Sequence, residues 1–281
     1  MAAFQEILDV LPARYRELDT ARVQELRLRA GQSPAVMEDG RERRLAGLVR
    51  LEELEAILQR ATRQSAYACT ETLRQGFVTL PGGHRIGVCG SAVIKNGEMT
   101  GYASVSSLCI RFARDVAIEE ARLFSQLTES TLIIGAPGAG KTTLLRACIR
   151  SLSKNGRRVC VCDDRSEISA MAQGEMQFDL GPQTDVLTGI SKSEGMMLLL
   201  RAMSPEWIAA DEITQARDLQ AMEQISYCGV RLLATAHAKD PQELTKRPLY
   251  KAMLALGIFE RIFVLQPDRQ YDVLEAAACS K

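Results

Sequence analysis

The stretch Gly135-Ala136-Pro137-Gly138-Ala139-Gly140-Lys141-Thr142 constrains this chain more than any other. It spells G-x-x-x-x-G-K-T, a loop built to hold phosphate. An apolar, β-prone run, Thr131-Leu132-Ile133-Ile134, precedes it. Thr143-Leu144-Leu145-Arg146-Ala147-Cys148-Ile149-Arg150 follows, with apolar residues at helical spacing. Strand, glycine turn and helix start are the surroundings that such a loop requires. The glycines let backbone N–H groups close around phosphate oxygens with no Cβ in the way. The helix N-terminus adds the positive end of its dipole. Lys141 is placed for the β- and γ-phosphates, and the Thr142 hydroxyl for Mg²⁺. Residues 135–143, Thr143 included, are therefore expected to bind ATP with Mg²⁺.

The bulk properties suit a soluble enzyme of the cytoplasm. A chain of 281 residues makes one large or two ordinary domains. Lysine plus arginine equals aspartate plus glutamate, 35 each, so nucleic acid is an unlikely main partner. Apolar runs such as Met196-Met197-Leu198-Leu199-Leu200 fall far short of the ~20 residues a membrane span needs. The N-terminus has charge within an amphipathic pattern and lacks the features of a signal peptide. Cysteines stand at 69, 89, 109, 148, 160, 162, 228 and 279, with no CxxC and no His at metal-ligand spacing. Most read as small buried residues in a reducing compartment; Cys160 and Cys162 alternate within a strand and share a face.

Patterning divides the chain into an N-terminal α+β domain, 1–118, and a second domain, 119–281. In the first, residues 1–30 read as helical, giving way to strand alternation at Glu25-Leu26-Arg27-Leu28-Arg29. Residues 51–75 read as an amphipathic helix with Leu51, Leu54, Ile57, Leu58 and Ala61 on one face. Gly-rich β segments follow, with a turn at Lys95-Asn96-Gly97 and a strand around 107–112. The second domain alternates strand and helix, with apolar runs at 131–135, 158–162, 207–211, 231–235 and 261–265. That rhythm predicts α/β architecture: a parallel sheet with helices on both faces.

Ligands of such sheets bind at the carboxyl ends of the strands. Asp163-Asp164-Arg165-Ser166-Glu167 follows one strand, Asp211-Glu212 another, and His237 a third. Mg²⁺ takes hard oxygen ligands, so Asp211 and Asp164 join Thr142 as candidate metal residues. A second carboxylate can deprotonate the attacking water, with Glu212 the favoured base and Glu167 a further strand-end candidate. His237, at a neighbouring strand end, is placed to sense the γ-phosphate. Arg201, just before the strand that leads to Asp211, is a candidate contact for the site or for a neighbouring copy.

GAPGAGKTTLLR, VCDDRSEI, LLLRAMSPEWIAADEI and GVRLLATAHA, in this order, resemble the stage III sporulation protein AA family. ELRLRAGQSP, GGHRIGVCGSAV and SSLCIRFAR resemble its N-terminal domain, so the likeness spans nearly the whole chain. The resemblance implies a RecA-like P-loop ATPase core related to the motors of type II and type IV secretion and pili. It further implies a homo-oligomer, a hexameric ring, and membrane-protein partners in a sporulation transport complex joining mother cell and forespore. The protein would then sit in the cytoplasm, peripheral to the membrane through those partners, with no span of its own. Ring motors place their sites between subunits, which makes Arg85 and Arg111 of the first domain candidates to reach a nucleotide. One departure stands out: Asp211 occupies a position that is glycine in many secretion motors. Two other classes remain open: a nucleic-acid-binding P-loop ATPase, and a nucleotide-gated scaffold with little turnover.

Overall fold

The structure, a computed structural model, describes residues 7–19, 22–38, 40–63, 73–74, 76–113, 120–171, 174–266 and 270–279. They fall into two compact units, Met1–Arg114 with Ala170–Phe178, and Asp115–Ser169 with Asp179–Lys281. The excursion of 170–178 into the first unit is a feature that a single cut after residue 118 does not contain.

The first unit contains α1 (Ala13–Arg16), β1 (Val23–Arg29), β2 (Ala35–Glu38), β3 (Arg41–Arg44), α2 (Leu51–Arg63), β4 (Phe77–Thr79), β5 (Arg85–Lys95) and β6 (Glu98–Arg111). Its strands lie in the order β3-β2-β1-β6-β5-β4, every neighbour antiparallel. Alternation along the strands buries Leu26, Leu28, Ile86, Val88, Leu108 and Ile110 together with Leu54, Ile57 and Ala61 of α2. Leu51 opens that helix and stays 44% exposed, so the buried stripe starts one turn later than its spacing suggested. The expected continuation of the helix to 75 falls largely outside the described residues. The helical reading of 1–30 yields to strand at Val23, where Leu26 and Leu28 are needed by the sheet. Asn96 and Gly97 turn the β5–β6 hairpin with φ of 53° and 81°, the two positive values a two-residue turn of this kind requires.

The second unit runs α3 (Glu120–Gln126), β7 (Thr131–Gly135), α4 (Lys141–Lys154), β8 (Val159–Asp163), β9 (Thr184–Thr188), α5 (Lys192–Met203), β10 (Trp207–Ala210), α6 (Ala216–Tyr227), β11 (Arg231–His237), α7 (Pro241–Lys246), α8 (Pro248–Ala255), β12 (Arg261–Leu265) and β13 (Tyr271–Glu275). The sheet order is β13-β12-β7-β11-β10-β8-β9. All pairs are parallel except β12 with β13. Each central strand is buried on both sides, which is why it reads as an unbroken apolar run. Even-numbered Leu132, Cys160, Cys162 and Ile208 pack with α5, α6 and α8. Odd-numbered Ile133, Val159, Val161, Trp207 and Ala209 pack with α3 and α4. Cys160 and Cys162 share a face as expected, and burial pushes their thiols up to about 11 and about 12. The sequence reading missed β9 and β13. Both are edge strands, Thr-Asp-Val-Leu-Thr and Tyr-Asp-Val-Leu-Glu, only partly buried and without an apolar run.

Candidate active site

The strand order sets β11 between β7 and β10, so the ends of these three strands meet at one edge of the sheet. β7 stops at Gly135 and α4 starts at Lys141. Between them Gly138 and Gly140 hold φ of 75° and 104°, values that favour glycine. Ala136, Pro137 and Gly138 are exposed and Ala139 is half-buried, so the loop is accessible to an anion. Thr143 lies in the first turn of α4, half-buried. Lys141 is buried, and its Nζ donates to the carbonyls of Gly135 and Ala136 at 3.0 Å each. Desolvation lowers its pKa, against the pull of the Asp211 and Glu212 charges. The ammonium is thus parked on its own loop, on neutral oxygens that phosphate would outcompete.

The Thr142 hydroxyl donates to Asp211 Oδ2 at 2.7 Å. Asp211 Oδ1 accepts from the Thr235 hydroxyl, which in turn accepts from the Glu212 amide at 2.8 Å. Glu212 has φ of 50°, a left-handed conformation that is costly for a residue with a Cβ. Its carboxylate is held from both sides, Oε1 by His237 Nε2 at 2.7 Å and Oε2 by Arg165 Nη1 at 3.1 Å. His237 stands opposite Gly135, the first residue of the phosphate loop, in the β11–β7 register.

Asp163 does a different job. It is buried and accepts from the amides of Glu167, Ile168 and Ser169 and from the Ser169 hydroxyl. Burial raises its pKa while those donors favour the anion. This clasp shapes the loop that carries Asp164, Arg165 and Glu167. Glu167 lines one small cavity with Arg165, Lys192, Asp211 and Glu212. Asp164 lines the same cavity as Asp211 and Glu212, and there it forms an ion pair with the buried Lys192 at 2.8 Å.

Arg201 lies farther along α5 than Lys192. Lys192 opens α5 beside Asp164, and Arg201 comes nine residues later, roughly 13 Å along the helix at its usual rise. It is exposed, at the end of α5 that feeds the start of β10, whereas the site lies at the strand's other end. In the first unit Arg85 lies over the Phe77 ring at 3.7 Å, and Arg111 is 3.6 Å from Glu25. Thr235, Arg165 and Lys192 were not foreseen as site residues. The available signals were a polar residue inside the apolar run Leu232-Leu233-Ala234-Thr235-Ala236 and an arginine within the acidic segment.

No group of three or more His, Cys, Asp or Glu able to hold a metal occurs among the described residues. The donors at the phosphate loop nonetheless fit magnesium. Thr142 spends its one hydrogen on Asp211 and keeps its oxygen lone pairs. Mg²⁺ is commonly held by one or two protein oxygens, with phosphate and water completing the shell.

The chain matches the family model "Sporulation stage III, protein AA" over residues 4–275. It is 34% identical over 277 residues to "Stage III sporulation protein AA" of Bacillus subtilis (strain 168), covering 92% of this chain and 90% of that one. Among solved structures, the pilus retraction motor PilT with bound ADP superposes with a TM-score of 0.59 at 16% identity, over 92% of this chain and 82% of that one. The Legionella pneumophila ATPase DotB gives 0.54 at 15% identity, over 91% and 76%. These two likenesses show the fold, a RecA-like P-loop core. Among the described residues no helix is long and apolar enough to cross a membrane.

Proposed function

The chain belongs to the sporulation stage III protein AA family, and from that premise we propose that it hydrolyses ATP as a motor of the secretion-ATPase type. The observation that carries the reading is the unbroken line of hydrogen bonds from Thr142 through Asp211 and Thr235 to Glu212 and on to His237. It joins a phosphate cradle to a carboxylate placed as a base.

The residues divide the work. The backbone N–H groups of the loop, which Pro137 alone lacks, receive the phosphates, and Lys141 leaves its two carbonyls for the β- and γ-phosphate oxygens. Thr142 would be the direct protein ligand for magnesium, with Asp211 orienting it as hydrogen-bond acceptor. A magnesium ion held there would supply neutralisation of phosphate charge. Glu212 accepts the proton of the attacking water on a carboxylate lone pair not engaged by Arg165 or His237. Glu167, on the loop clasped by Asp163, is the competing base. His237 links the loop's first residue to the base and is suited to report phosphate loss. The motor works as a homo-oligomeric ring within a sporulation transport complex, docked at the membrane through partner proteins.

Lys141→Ala tests the central claim. It removes the one cation built into the loop, and titration with a fluorescent ATP analogue should show strongly weakened binding, with phosphate release abolished. Wild-type affinity and turnover in this variant would refute nucleotide hydrolysis at this site.

A further inference from the structure

We propose that Thr235 is a positioning residue that couples the metal side of the site to the base. Three facts on neighbouring strands support it. Thr235 is completely buried, so water does not compete for its hydroxyl. Its hydroxyl has one hydrogen, and the partners dictate where that hydrogen points. The Glu212 amide has only a proton to offer, so the hydroxyl accepts from it at 2.8 Å. The hydrogen left to the hydroxyl then points at Asp211 Oδ1, to which it donates. The relay therefore has a fixed direction, from the Glu212 backbone through Thr235 to Asp211. The β-branched side chain adds stiffness at χ1, which suits a fixed strut.

The third fact is the backbone that the strut supports. Glu212 has φ of 50° directly after β10, a conformation that persists only where its surroundings enforce it. The bond from its amide to Thr235 ties down that residue's backbone, and the carboxylate then stands 2.7 Å from His237 on β11. Asp211 meanwhile holds Thr142 with its other oxygen. Any displacement at Thr142 as phosphate and cation engage is thus passed through Asp211 and Thr235 to the backbone that aims the base. Serine preserves this relay; valine keeps the shape and removes both hydrogen bonds.

The turnover arm of the test rests on the ATPase reading, and the exchange arm does not. In the full-length protein without nucleotide, hydrogen exchange at the Glu212 amide, followed by NMR, should accelerate about tenfold or more in Thr235→Val and stay near wild type in Thr235→Ser. Turnover should fall by roughly 10–100-fold in the valine variant, the usual effect of an outer-shell partner. ATP-analogue affinity should change little, and serine should restore the rate. If Thr235→Val fails to fold, Thr235→Cys, with its weak S–H donor, takes its place and should show the same loss beside a normal serine variant. Unchanged Glu212 exchange in the valine or cysteine variant, or a serine variant as impaired as either, overturns the proposal. A wild-type protein that releases no phosphate refutes the ATPase reading, while the exchange arm still decides for or against Thr235.

Discussion

Two carboxylates compete for the role of base, and their surroundings separate them. Glu212 is aimed by a strained backbone and gripped at both oxygens by Arg165 and His237. Glu167 belongs to a loop whose shape is set by Asp163, and it lines the same cavity. Glu212→Gln keeps size and hydrogen bonding but loses the basic lone pair. It should leave ATP binding near normal and slow hydrolysis by roughly 10²–10⁴-fold. Steady-state phosphate release measured beside Glu167→Gln decides between them. If Glu167→Gln shows that loss while Glu212→Gln stays active, the base is Glu167 and the two grips on Glu212 serve the structure alone.

At the scale of elements, α5 must approach β8 closely for Lys192 to reach Asp164. Gly195, buried in the first turn of that helix, permits it. A Cβ there would stand 2.5 Å from Cys162 Sγ and 3.0 Å from Ile190 Cγ2. Helix propensity alone would favour alanine by about 1 kcal/mol, but overpacking in a rigid core costs about 1–3 kcal/mol. Packing should win, so Gly195→Ala is expected to lower stability in chemical denaturation by up to about 2 kcal/mol net. Adding Cys162→Ala removes the obstructing sulfur and should recover part of the loss, a coupling expected of residues in contact. A Gly195→Ala variant as stable as the wild type would show that α5 has room to shift, and that the Lys192–Asp164 pair is not tied to this approach.

At the scale of the molecule, the ring proposal makes activity depend on association. Specific ATPase activity should rise more than in proportion to protein concentration, and sedimentation with ATP should reveal species larger than the monomer. A strictly monomeric protein with concentration-independent specific activity would remove the ring and leave a lone ATPase or switch. The division into two units also bears on dissection of the chain. The second unit gives up Ala170–Phe178 to the first, where a Cβ on Gly83 would stand 2.8 Å from both Ala170 Cβ and Phe178 Cε2. Removing residues 1–114 would therefore strip the packing from buried Phe178 and Ala170. That fragment is expected to be less soluble than one in which 170–178 is also replaced by a short polar linker, as compared by soluble yield.

The phosphate loop, the acid pair at 211–212, the central strands and the Asn96-Gly97 hairpin were legible in the sequence because each depends on residues adjacent in the chain. A glycine turn demands positive φ where it stands, and a strand buried on both faces must be apolar throughout. β9 and β13 were not legible, because an edge strand is defined by the neighbour it pairs with and needs little apolar surface. Nor were the roles of Thr235, Arg165 and Lys192, whose partners lie 24, 47 and 28 residues away. Those contacts exist because the chain lays β11 and β8 on either side of β10 and packs α5 against β8, an arrangement that no local spacing encodes. The chemistry of this protein was written locally, and tertiary structure decided which of its polar groups restrain one another.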